Sequence, residues 1–341
     1  MCIRDRAMVH PHDWCSGFFA GSLWQVYAYT HDDYWRQAAI SWTWPIEEAK
    51  WHRGTHDLGF MMYDSFGKAY ELTGERSYLD VVLQSAKTLM TRYSPKVKSI
   101  RSWDHNREVW SYPVIIDNMM NLELLFEATK LTGDSTFCRV ALSHADRTLK
   151  EQFRPDGSCF HVVDYDPQDG TVRNRQTAQG YADSSAWSRG QAWAIYGYTV
   201  CYRETSRQIY LDQALKTFNF MKNHPHMPAD LVPYWDMDAP GIPDEPRDAS
   251  SAAVIASALY EISTFDVPQA EEYRTYADSI MSSLTSPDYT AAPGTNGLFL
   301  LMHSVGSIPH NSEIDVPLNY ADYYYMEALK RRNDIDKASN K

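Results

Sequence analysis

The 341-residue chain has no run of apolar residues long enough to span a bilayer, which argues against membrane-crossing helices. Its five cysteines, Cys2, Cys15, Cys138, Cys159 and Cys201, are odd in number and scattered, with no C-x-x-C pair. Neither a disulfide framework nor a zinc site follows from them. No His/Cys/Asp cluster has metal-ligand spacing, so no metal and no cofactor are expected. The signatures G-x-G-x-x-G, P-loop and G-x-S-x-G are missing, and with them the usual signals of nucleotide folds and α/β-hydrolases. The first residues, M-C-I-R-D-R-A-M, lack the apolar stretch of a signal peptide, which leaves cytoplasmic and periplasmic bacterial locations both open. Positive charge is in short supply: 32 Lys and Arg against 44 Asp and Glu give a net charge of −12. That balance disfavours nucleic acid or an anionic membrane surface as partner, although one local cation can still hold an acidic ligand. Oligomeric state is not legible.

Aromatic residues are plentiful, with 11 Trp and 23 Tyr, and 44% of the chain is hydrophobic. A large core and a sugar-binding cleft both account for this, because sugar rings present apolar C–H faces to aromatic rings. The organising signal is a recurring junction: E-L-T-G-E-R-S-Y-L at 71–79, K-L-T-G-D-S-T-F at 130–137, R-E-T-S-R-Q-I-Y-L at 203–211, Y-T-H-D-D-Y-W at 29–35, and a looser copy at 262–268. Each closes one amphipathic segment with Thr and opens another after a short polar turn. Gly74 and Gly133 stand where a helix C-cap wants positive φ, and Glu75 and Asp134 where the next helix favours negative charge.

Segments 16–30, 56–73, 113–132, 183–205, 247–264 and 317–332 are apolar almost all round, as inner helices should be. Segments 31–50, 75–93, 134–150, 207–223 and 269–285 carry more charge on one face, as outer helices should. Alternating inner and outer helices of this repeat length predict an all-α, six-hairpin (α/α)6 barrel, with 1–341 as a single domain. One outer helix is lacking, since only residues 1–12 precede the first inner one, so a truncated or non-native start is expected. The runner-up, an open solenoid, fits poorly with the long connections at 94–112, 151–182, 224–246 and 286–316. Topology sends these connections and the inner-helix N-termini to one rim.

Inner helices are expected to begin near Asp13, Asp57, Asp117, Asp183 and Asp248. Asp is a preferred N-cap, and Asp183 and Asp248 read as caps. Asp57, in T-H-D-L-G-F, and Asp117, in V-I-I-D-N-M-M-N-L, sit in apolar sequence, where lost solvation raises a carboxyl pKa. Two such groups meeting across a cavity make an acid able to act near neutral pH. Around them lie His56, His161, Gln179, Trp187, Arg189, Gln191 and Trp193. Helical spacing pairs Trp187 with Gln191 and Arg189 with Trp193. A buried Arg189 needs an internal acid or an acidic ligand. Ordinary core packing remains the plain reading of the tryptophans, and a polar loop residue that of His161.

At H-D-L-G-F (56–60), I-I-D-N-M-M-N-L (115–122), S-R-G-Q-A-W (188–193) and R-D-A-S-S-A-A (247–253), the sequence resembles glycoside hydrolase family 88, the unsaturated glucuronyl hydrolases. The resemblance runs from D-W-C-S-G-F-F-A-G-S-L-W at 13–24 to D-Y-Y-Y-M-E-A-L-K-R at 322–331. It implies an (α/α)6 barrel without metal. It also implies removal of a 4,5-unsaturated uronic acid from lyase-generated oligosaccharides by hydration of the vinyl ether. In that scheme Asp117 protonates C4 and helps deliver water to C5, Asp57 supports its protonation, and Trp14, His56, His161, Gln179, Trp187, Arg189 and Trp193 bind the uronate. Some members carry a Ser/Lys loop that contacts sulfate; the corresponding stretch at 303–310 has no Lys, so a sulfated substrate gains no support. Unsaturated rhamnogalacturonyl hydrolysis and a non-catalytic carbohydrate-binding toroid are the alternatives.

Overall fold

The structure, a computed structural model, describes residues 2–3 and 8–339. Among these, six inner helical segments alternate with five outer ones. The first hairpin is α1 (Ser16–Thr30) and α2 (Asp33–Thr43), which runs on as a 3-10 stretch to Trp51. The second inner segment opens as a π-helix, Gly59–Gly67, and continues as α3 (Lys68–Thr73) before outer α4 (Arg76–Met90). The third opens as a 3-10 stretch, Ile116–Leu122, continues as α5 (Glu123–Thr132), and turns into α6 (Ser135–Glu151). Then follow α7 (Ser188–Thr205) with α8 (Gln208–Lys222), α9 (Ala249–Ile262) with α10 (Ala270–Leu284), and inner α11 (Asn319–Ser339). Helix α11 packs on both α9 and α1, and this contact closes the ring. The protein is an all-α (α/α)6 barrel.

The junctions fold as their residues dictate. Gly74 and Gly133 take φ of 68° and 75° at their helix ends, where a Cβ would be strained. His31 and Ser206 take the same left-handed turn without glycine. The side chains of Asp32 and Asp134 then cap the following helices by accepting from Tyr34 N–H and Thr136 N–H. Gly17 and Gly21, one turn apart on α1, let the backbone of the π segment dock: a Cβ there would lie 2.2 Å from the Phe60 and Asp64 carbonyl oxygens respectively.

Two expectations need correction. The segments at 56–73 and 113–132 are not α-helical throughout, because their first turns are π or 3-10 and residues 113–115 form a strand. The fourth inner helix starts at Ser188 rather than near Asp183. Asp183 caps no helix; its exposed carboxylate accepts the Thr177 N–H in the preceding loop. The long connections are also less irregular than expected. An antiparallel sheet of Pro113–Ile115, Val162–Tyr165 and Val172–Gln176 ties two of them together. This sheet sets the backbone immediately before Asp117.

Candidate active site

The inner-helix N-termini and their connections surround a cavity of about 530 Å³. Seven of the nine expected site residues line it: Trp14, His56, Asp57, Asp117, His161, Gln179 and Arg189. Trp187 and Trp193 are fully buried and do not line it. They stand behind the wall, Trp187 tilted against His161 with ring centroids 4.6 Å apart, and Trp193 packed between Phe60 and Tyr324.

Asp117 opens the 3-10 turn after the sheet, and its side chain is only 13% exposed. Burial pushes its pKa up to about 7, Arg189 opposes that rise and Asp57 adds to it. One of its oxygens, Oδ2, is buried without a hydrogen-bond partner. The remaining exposure of the side chain is on the cavity that Asp117 lines, as a proton donor to a bound substrate requires. Asp57 sits just before the π-helix. Thr55 Oγ1 donates to its Oδ2 at 2.5 Å, and its Oδ1 lies 3.1 Å from His56 Nε2.

The two histidines are held in opposite tautomers. His56 Nδ1 faces the Ser102 carbonyl at 3.0 Å, so that nitrogen carries the proton, and Nε2 lies on the side of Asp57. Burial pushes its pKa down against the pull of Asp57. His161 Nδ1 instead accepts the backbone N–H groups of Ala178 and Gln179, at 3.0 and 3.2 Å. Its Nε2 therefore bears the proton and points toward Asp117 Oδ2, 3.7 Å away. Burial and then Arg189 lower the His161 pKa to about 3, so it is a neutral N–H donor at working pH and no base.

Arg189 has the internal acid that the sequence argument asked for. Its guanidinium lies 3.4 Å from Asp248 Oδ2 and donates to the Val305 and Gly306 carbonyls. Asp248 caps α9 as expected, through Ser250 N–H, and this second partnership was not foreseen. Gln191, also expected near the site, is buried and bonds Cys159 instead of facing the cavity.

Sequence reasoning missed the far wall. Trp103, His105, Asn106 and Trp110 come from the connection at 94–112, and Ser307, His310 and Ser312 from that at 286–316. Trp103 stacks on His105 and meets Trp110 edge-on at 5.1 Å. Both connections were read as rim loops; the two indoles in W-D-H-N-R-E-V-W were the available signal. Among the described residues no group of three or more His, Cys, Asp or Glu could hold a metal ion.

The profile of Glycosyl Hydrolase Family 88 matches residues 3–337. The chain belongs to this family. An unsaturated glucuronyl hydrolase of Formosa agariphila is 50% identical over 96% of this chain and 82% of its own length. An unsaturated chondroitin disaccharide hydrolase of Streptococcus agalactiae is 33% identical over 94% of the chain and 81% of its own length. Among solved structures, an unsaturated glucuronyl hydrolase specific for heparin superposes with a TM-score of 0.94 at 46% identity, over 96% of this chain and 88% of the other. For family members this cavity is the place to look for the chemistry, because it joins a high-pKa carboxyl, a second carboxylate and aromatic walls in one concave site.

Proposed function

We propose that Asp117 and Asp57 carry out the hydration that removes a 4,5-unsaturated glucuronic acid from the non-reducing end of lyase-generated oligosaccharides, with Asp117 as the acid. The family membership supports the reaction, and one observation supports the assignment: Asp117 lines the cavity from a buried position and holds its proton to about pH 7. Asp117 gives its proton to C4 of the vinyl ether, and the cation develops at C5 beside the ring oxygen. Water adds to C5 and loses a proton to the Asp117 carboxylate, which restores the acid. The hemiketal then opens and expels the neighbouring sugar. Asp57 favours the protonated state of Asp117 through its charge. Trp14 offers a stacking face, and His56, Gln179 and the Nε2–H of His161 offer polar contacts to the uronate. Trp187 and Trp193 brace these groups from behind. We read residues 1–341 as one catalytic domain, since one large core cluster runs from Cys15 to Ala328, with a small satellite of Val97, Tyr112, Val114, Val163 and Tyr165 around the sheet.

Relatives indicate the substrate class. One solved family member is described with dGlcA-Glc-Rha-Glc, and a Streptococcus agalactiae aspartate-to-asparagine variant with dGlcA-GalNAc6S. In the latter enzyme two different aspartates, sixty positions apart, have been replaced by asparagine, the same spacing as Asp57 and Asp117. A glycosaminoglycan-type oligosaccharide with an unsaturated terminal uronate is therefore the substrate proposed. The rhamnogalacturonyl and non-catalytic alternatives gain nothing from these relatives.

The test is turnover of lyase-generated disaccharides in deuterated water, followed by loss of absorbance from the double bond. One solvent deuteron must reach C4 of the product. If Asp117→Asn still delivers it at a near-normal rate and Asp57→Asn does not, the acid is Asp57.

A further inference from the structure

We infer that Ser102 is a positioning residue for the reaction: it ties the segment carrying Asp57 to the segment carrying Asp117, and so sets how strongly the two carboxyl groups interact. The inference rests on the hydrolase reading above and adds to it the part that holds its two aspartates in register. Asp57 and Asp117 belong to different inner segments, so their relation depends on what joins those segments at the rim. Ser102, from the connection at 94–112, bonds both. Its carbonyl accepts two N–H groups of His56, the backbone one at 3.2 Å and Nδ1 at 3.0 Å, which fixes the residue directly before Asp57. Its hydroxyl accepts the Ile115 N–H at 2.9 Å and donates to Asn118 Oδ1 at 2.7 Å, on either side of Asp117. Its own N–H donates to the Pro113 carbonyl at 2.9 Å, and the Asn118 amide donates to the Ile100 carbonyl at 2.8 Å. Ser102 is 0% exposed, so it stands in the cavity wall without touching substrate. A buried hydroxyl with its proton and a lone pair both engaged is held in one orientation.

Deeper in the barrel Asn121 makes a second tie. Its Oδ1 accepts the Phe60 N–H at 2.9 Å, and its Nδ2 donates to the Asp117 carbonyl at 3.3 Å. Gly59 leaves room for it, since a Cβ there would lie 2.7 Å from the Asn121 Cα and Oδ1. The two ties bracket the aspartates. Removing the Ser102 hydroxyl cuts the first tie on the Asp117 side alone: the carbonyl still holds His56, and Asn121 still joins the two segments. The barrel therefore stays closed while the Asp117 turn gains room to swing away from Asp57. Besides Asp57, the groups facing Asp117 are Arg189, the Nε2–H of His161, the buried Cys159 thiol and Trp193.

The test reads Asp117 directly. Protein labelled with ¹³C at the aspartate carboxyl carbons is titrated by NMR, with the Asp117 resonance identified by its loss in Asp117→Asn. The pH dependence of kcat/KM on an unsaturated disaccharide is measured beside it. Ser102→Ala should lower kcat by about 10- to 10²-fold, the scale for a small misplacement of a catalytic group. It should also move the Asp117 titration and the alkaline limb of the rate profile about half a pH unit lower, because like charges that part by about 1 Å repel each other less. Asn118→Ala, which cuts the same bond from its other end, should move both in the same direction. In an Asp57→Asn background, where no charge remains to retreat from, Ser102→Ala should move neither. Thr217→Val removes an equally buried hydroxyl, bonded to the Gly157 carbonyl from outer helix α8, and should lower Tm without moving the titration. An unmoved Asp117 titration in Ser102→Ala, or the same shift with and without the Asp57 charge, would overturn the inference while leaving the hydrolase reading in place. If wild-type protein turned over no unsaturated glycoside, the hydrolase reading would fail, and the titration would still decide whether Ser102 couples the two aspartates.

Discussion

The barrel buries carboxylates in two places and treats them in opposite ways. Deep among the inner helices, Glu123, Glu261 and Glu327 are woven together with Arg203 and Arg331: Arg203 contacts Glu123 and, at 2.9 Å, Glu261, while Arg331 lies 2.8 Å from Glu261 and 3.6 Å from Glu327. Burial alone would push Glu123 up, but Arg203, Lys68 and Arg331 overcome it and hold its carboxyl below the ordinary value. At the rim, Asp117 feels the same burial, yet its nearby cation, Arg189, is already committed to Asp248 and two carbonyls. Its carboxyl therefore keeps a proton. Asp64, inside the π-helix, shows the extreme: burial raises it far above its usual value, with a Tyr323 hydroxyl 3.2 Å away as hydrogen-bond partner. Similar burial gives a structural ion pair where cations converge and a proton carrier where they do not.

The largest expected effect tests the rim. Asp117→Asn should lower kcat by at least about 10²–10⁴-fold, the usual worth of general acid–base catalysis, with KM changed far less. Steady-state kinetics on an unsaturated disaccharide read this directly. Glu123→Gln is the counterpart in the deep cluster. It leaves Arg203 short of a partner and should cost about 3 kcal/mol in denaturant unfolding at neutral pH, without moving the pH–rate profile. Because the Glu123 pKa is depressed, its stabilisation exists above the unfolded value of about 4.5 and fades as pH falls through the folded one. The difference from wild type should therefore shrink in acid, and a constant difference would break the comparison.

Asp117→Asn should also stabilise the protein, in a pH-dependent way. A carboxyl raised from 3.8 to about 7 favours folding only while protonated, and that advantage is lost as pH rises through the folded value. At pH 8 the amide should thus unfold about 2–4 kcal/mol harder than wild type, and at pH 4 the two should coincide. The subtlest effect belongs to Asp57→Asn. Its charge raises Asp117, so in the residual activity the fall of kcat/KM with rising pH should begin at lower pH than in wild type. An unmoved alkaline limb would detach Asp57 from the protonation of Asp117.

Local sequence determined the ring. The Thr-centred junctions, with Gly74 and Gly133 at positive φ and acidic or polar caps after them, act over a few residues, and alternation of apolar and charged segments decides which helix lies inside. The same local signals placed Asp57 and Asp117 in apolar surroundings near helix starts. They erred where local preference competes with distant partners. Asp183 looks like a cap, yet its carboxylate is used by Thr177 and the helix waits until Ser188. Trp187 and Trp193, which only the family resemblance set against the uronate, are buried and do not line the cavity. Only the tertiary structure decided the tautomers of His56 and His161, because the Ser102 carbonyl and the Ala178 and Gln179 amides come from other segments. Likewise it alone turned Arg189 toward Val305 and Gly306, more than a hundred residues away in sequence. A hydrogen-bond direction or a charge partner depends on which chemically distinct group lies within about 3 Å, and sequence spacing does not encode that proximity.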